Sequence, residues 1–167
     1  YRMNYSSNKT VTDARSMGIN GGEFTVESAS GPVSLSDFKG KTVVLYFGFA
    51  SCPDVCPMSL SYLNGALSNI EKRDQVQVIF VSVDHKRDAP KKVSEYAQFF
   101  DKNFIGATAN KETIEKITKD YGVYYKFIEL KDSKLGYTVD HTSKFFIIDS
   151  EGELVKAVSS EESPDIF

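Results

Sequence analysis

Thr42-Val-Val-Leu-Tyr-Phe-Gly-Phe49-Ala-Ser-Cys52-Pro-Asp-Val-Cys56-Pro-Met58 joins an unbroken apolar run to a turn that holds both cysteines of the chain. A near-continuous run of β-branched and aromatic residues is the pattern of a central strand buried on both faces. Proline disfavours α geometry in the residue before it. Cys56 is therefore expected at a helix N-cap, with Pro57 as the first helical residue and residues 52–55 as a tight turn. That assignment carries chemistry. A helix start presents free N–H groups and a partial positive charge, which draw a cysteine below the free thiol value of about 8.5. Thiolate is the form that attacks disulfides and the form that binds metal. A cysteine pair with no role beyond packing is the ordinary finding. Two in one proline-flanked turn, at the carboxyl end of a central strand, stand where open α/β sheets keep their sites.

Outward from this turn the chain alternates between two periods. Leu63, Ala66, Leu67 and Ile70 follow at helical spacing, and Val76 to Val83 is a second buried strand. After Pro90, the set Val93, Tyr96, Ala97 and Phe100 repeats an i, i+3, i+4, i+7 face. Phe104 to Ala107 reads as a short strand; Ile114, Ile117 and Tyr121 mark a helix closed by Gly122. The stretch Tyr124 to Val139 is less regular and contains a hairpin. Lys144 to Ile148, a turn at Ser150-Glu-Gly152 and Glu153 to Val158 make a final antiparallel pair. On the amino side, Phe24 to Glu27 and Val33 to Leu35 flank Gly31-Pro32 and suggest a small hairpin. These elements predict an α/β chain of thioredoxin-like fold, with a mixed central sheet flanked by helices and an N-terminal hairpin.

The 167 residues are the size of one domain, and a hydrophobic content of 41% suffices for a packed core. Residues 1–22 are polar and read as a flexible lead-in, following a removed membrane anchor; residues 23–167 form the domain. Ser163-Pro164-Asp165 reads as a helix start with three residues after the proline, so the last helix is expected to be truncated. The net charge of −3 has no basic stripe behind it, which argues against a nucleic-acid partner. No run approaches the ~20 apolar residues of a membrane span, so any membrane attachment falls to the missing anchor.

Three residues separate Cys52 from Cys56, where a thioredoxin redox motif has two. The larger loop permits a disulfide and also leaves room for an ion between the sulfurs. Two thiolates make a soft site suited to Cu(I) or Zn, and they need a further ligand. The chain has two histidines. His141, in Val139-Asp-His-Thr-Ser143, precedes the strand at Lys144, and in the thioredoxin class the loop entering that strand faces the cysteine turn. His85, in Ser82-Val-Asp-His85, follows the second strand and ranks below it. Either could be an ordinary surface histidine. Met58, a tempting soft ligand, reads as core.

Taken together, Gly48-Phe-Ala-Ser-Cys-Pro-Asp-Val-Cys-Pro57, Ser82-Val-Asp-His-Lys-Arg-Asp88 and Tyr137-Thr-Val-Asp-His-Thr142 resemble the Sco (SenC) family over about Phe24 to Val158. The resemblance implies copper, Cu(I) or Cu(II), bound by Cys52, Cys56 and His141. It also implies a metallochaperone role in building the binuclear copper site of cytochrome c oxidase, the partner being the copper-site subunit or another copper-accepting protein. Family members are usually tethered by one N-terminal helix and face the periplasm, the cell exterior or the mitochondrial intermembrane space; the periplasmic face of the inner membrane is the expectation here. The family usually carries proline where this chain has His85. Asp84 and Asp88 are expected to hold loops or salt bridges rather than metal.

The alternative is an enzyme, a thiol–disulfide oxidoreductase in which Cys52 and Cys56 are the redox-active pair that keeps acceptor cysteines reduced. A thiol peroxidase ranks last, because Phe47, Gly48 and Phe49 stand where such enzymes carry Thr or Ser. A copper-sensitive redox sensor stays open.

Overall fold

The computed structural model of the chain describes residues 11–13, 21–50, 55–68, 73–129, 137–141 and 144–159; at 11–13, 55–57, 73, 129, 137–141 and 159 it describes the backbone. The strand expected at the centre is β4 (Thr42–Gly48), and six of its seven residues are buried. It pairs in parallel with β5 (Val76–Ser82), which pairs in parallel with β6 (Ile105–Ala107). On its other side β4 pairs antiparallel with β9 (Lys144–Ile148), followed by β10 (Leu154–Ser159) and β1 (Val11–Asp13). The six strands run β1-β10-β9-β4-β5-β6, the mixed sheet the alternation predicts.

Successive side chains on a strand point to opposite faces, and β4 uses both. Tyr46 contacts Phe80 and Phe145 on one face, where Tyr62 of α1 (Val55–Ser68) stacks on Phe145 and Tyr96 of α2 (Pro90–Phe100) meets Phe80. Phe47 contacts Phe146 on the other, where Tyr121 of α3 (Lys111–Tyr121) touches both rings. One strand with aromatic residues at adjacent positions thus anchors helices above and below the sheet.

The ends of α3 follow their residues. The Asn110 side chain accepts from Thr113 N at 2.9 Å, and Gly122 closes the helix with φ 67°. That left-handed conformation is the one glycine adopts without Cβ strain. The amino hairpin is β2 (Thr25–Ser28) with β3 (Gly31–Ser34). A bridge from Glu27 to Thr108 joins it to the segment just past β6. The irregular stretch resolves into a second hairpin, β7 (Tyr125–Glu129) with β8 (Tyr137–His141).

Two differences from the sequence reading stand out. Within the expected lead-in, Val11–Asp13 forms β1, the edge strand of the main sheet. The helix after β4 begins at Val55, so Cys56 and Pro57 are its second and third residues rather than N-cap and first. Proline is tolerated there because first-turn N–H groups have no intrahelical acceptor. The expected start of a last helix at Ser163 lies outside the described residues.

Candidate metal centre

Three neighbouring strands of the sheet end close to the segments that carry the predicted residues. In the order β9-β4-β5, the carboxyl ends of β4 and β5 and the amino end of β9 lie on the same side. Tyr46 pairs with Phe145 and Gly48 with Ser82, which fixes that alignment. The chain leaves β4 here toward Cys52. Cys56 follows in the first turn of α1, where its backbone lies among the unpaired N–H groups that favour a thiolate. His141 is the last residue of β8, three residues before β9 begins. The side chains of Cys56 and His141, and Cys52 as a whole, lie outside the described residues.

The loop after β5 is described in full, and it is built around two buried carboxylates. Asp84 is fully buried; its Oδ2 accepts from Arg87 Nε at 2.6 Å and its Oδ1 from Arg87 N at 3.2 Å. Asp88 is 3% exposed. Its Oδ2 accepts from Ser82 Oγ at 2.6 Å and from Ala50 N at 2.7 Å, while Lys92 Nζ approaches Oδ1 at 3.2 Å. Buried charges persist where they are paired and hydrogen-bonded, and both conditions hold. These aspartates tie the loop together, as the sequence reading expects. Among the described residues no group of three or more His, Cys, Asp or Glu side chains stands in a metal-holding arrangement.

His85 is half-buried, its ring set edge-on against Phe127 of β7 at 5.4 Å, with Lys86 Nζ 4.6 Å from the centre of the same ring. Phe127 lies two residues from Tyr125, which pairs with His141. The loop after β5 therefore rests on the hairpin that ends in His141. Sequence reasoning missed Phe127 and the Asp88–Ala50 bond. An aromatic residue in an irregular stretch, and an acidic residue in a loop, give no sign of such partners.

Met58 departs from its expected place. It is 68% exposed, whereas Ser59, Leu60 and Leu63 are buried. The helix turns its 59, 60, 63 and 67 positions to the sheet, and position 58 falls outside that stripe.

A family model described as SCO1/SenC matches residues 12–167. The chain is 34% identical over 146 residues to the SCO2-like protein RC0895 of Rickettsia conorii, covering 86% of this chain and 71% of that one. Among solved structures it is similar to the apo Sco1 protein of Thermus thermophilus, with 39% identity, a TM-score of 0.76, and 84% and 82% of the two chains covered. It is also similar to Arabidopsis thaliana ScoI with copper bound, at 36% identity and a TM-score of 0.77, covering 83% and 87%.

Proposed function

The chain belongs to the SCO1/SenC family, and from that premise we propose that it binds copper through Cys52, Cys56 and His141 and delivers it to the copper site of cytochrome c oxidase. The observation that carries the reading is the copper held by the A. thaliana relative on the same fold. The chemistry of the donor set agrees with it. Two thiolates and one imidazole suit Cu(I) as a trigonal site, and soft sulfur donors discriminate against hard cations. Cys56 stands in the first turn of α1, and a helix start is a place that favours a thiolate.

Delivery follows from the same ligands. Copper is cargo here, so the site must release it, and thiols on an acceptor replace Cys52 and Cys56 one at a time by ligand exchange. The acceptor class is a protein with its own paired cysteines, such as the copper-site subunit of the oxidase. The site is expected on the extracytoplasmic side of a membrane. No helix among the described residues is long and apolar enough to cross one.

The test is titration of the reduced, oxygen-free protein with copper, followed by absorption and electron paramagnetic resonance. Wild-type protein is expected to bind one Cu(II) with intense sulfur-to-copper charge-transfer absorption. Cys52→Ala and Cys56→Ala should each abolish that band. A single variant that keeps wild-type spectra and affinity overturns the paired-thiolate site.

A further inference from the structure

We infer that Asp88 is a positioning residue for the cysteine turn, fixing through the Ala50 N–H the path by which the chain leaves β4 toward Cys52. The inference rests on the copper reading for its metal readout and is independent of it for its thiol readout. The ladder between β4 and β5 continues past their ends to one more bond, Val83 N–H to the Gly48 carbonyl at 2.8 Å. Beyond it the two loops are held by Asp88 Oδ2, which accepts from Ala50 N at 2.7 Å. Ala50 stands two residues before Cys52.

The carboxylate itself is held from three sides. Ser82 Oγ donates to the same Oδ2 at 2.6 Å, and the Ser82 carbonyl accepts from Thr108 Oγ1 at 3.0 Å, which anchors the end of β5. Lys92, in the first turn of α2, faces Oδ1 at 3.2 Å. The Asp88 backbone N–H donates to the Asp84 carbonyl at 3.0 Å, closing the loop on itself. Only Ala50 in this set belongs to the segment that carries the cysteines. A buried carboxylate is costly to desolvate, and hydrogen bonds to an ionised acceptor are the strong ones. The arrangement spends one on the backbone that aims a proposed ligand.

A residue acting through geometry and one acting through charge give different results in two substitutions. Asp88→Asn keeps an oxygen able to accept from Ala50 and Ser82, and Lys92, whose side chain is 47% exposed, keeps its ammonium in contact with water. Asp88→Ala removes charge and acceptor together. Copper(I) affinity of the folded, reduced chain is measured by competition with a chromogenic chelator. Cysteine reactivity is measured as alkylation rate against pH, with no metal present. Asp88→Ala is expected to weaken copper binding by about tenfold or more, the cost usual for a group that orients a ligand, while Asp88→Asn stays within about threefold. The alkylation rate of the cysteines should depart from wild type in Asp88→Ala and stay close to it in Asp88→Asn. If Asp88→Ala matches wild type, or Asp88→Asn changes as much as Asp88→Ala, the positioning role is overturned. Should Asp88→Ala not fold, Asp88→Glu keeps the charge and moves the acceptor by one methylene, and the same loss is expected of it. If wild-type protein binds no copper, the site reading fails, and the alkylation profiles alone decide the role of Asp88.

Discussion

Tyr121 shows how one side chain joins stability to pH. It is 1% exposed, packs against Phe24, Phe47 and Phe146, and donates its hydroxyl to the Gly22 carbonyl at 2.7 Å. Burial pushes its phenol well above the ordinary value, and the charges of Asp120 and Glu23 push the same way. The unfolded chain loses this proton near pH 10 while the folded chain keeps it. A folded-state pKa above the unfolded one gives stability that is present below about pH 10 and lost as pH rises beyond it. Tyr121→Phe should therefore cost about 1 kcal/mol at neutral pH, the net worth of one hydrogen bond. It should also flatten the alkaline fall in stability. Urea unfolding of both proteins at neutral pH and at about pH 11 checks this; an equal alkaline loss in both would assign the slope to other groups. The unbroken apolar run of the sequence places Phe47 inside, and helical spacing places Tyr121 inside. Their contact, across 74 positions of chain, is a property of the fold.

At the scale of elements, α2 and β6 approach each other closely at Gly106. A Cβ at Gly106 would collide with the Val93 carbonyl and come within 2.9 Å of Ala97 Cβ. The Ser94 hydroxyl reaches the Gly106 carbonyl at 2.8 Å and accepts from Ala29 N at 2.9 Å, so helix, strand and amino hairpin share one junction. Gly106→Ala must push α2 off the sheet and is expected to cost about 3 kcal/mol, at the upper end for overpacking. Chemical denaturation gives the value, and a loss below about 1 kcal/mol would mean the helix shifts freely. The face of α2 was legible because Val93 and Ala97 recur at helical spacing and are both buried. The strand β1 was not. Three residues of mixed character carry no period, and their pairing comes from the open edge of β10 rather than from their own preference. The start of α1 was legible to within two residues. Proline marks a first turn without saying which of its positions it fills.

Across the whole molecule, the candidate centre sits where segments distant in sequence leave three neighbouring strands. The strand and the helix start on either side of Cys52 could be read because they are close in sequence, whereas the bond from Ala50 to Asp88 spans 38 positions. Local patterns do not encode such a bond. The same topology separates the two histidines. His85 lies in the loop after β5 with its ring edge-on against Phe127, while His141 stands at the end of β8, just before β9. His141→Ala is therefore expected to lose far more copper affinity than His85→Ala, and the reverse order would transfer the ligand role. A carrier and a reductase then part company at this one residue. A carrier needs the imidazole to hold copper until an acceptor thiol arrives, whereas a dithiol reductase needs only Cys52 and Cys56. In a cell lacking the native protein and starved of copper, His141→Ala should fail to restore cytochrome oxidase activity while its thiols still exchange with a disulfide substrate. Full restoration would overturn the carrier reading and promote the oxidoreductase. The control is thermal unfolding of the metal-free variant. His141 pairs through its backbone with Tyr125 in the hairpin, and a backbone ladder survives the loss of an imidazole, so an unchanged transition is expected and ties the failure to copper.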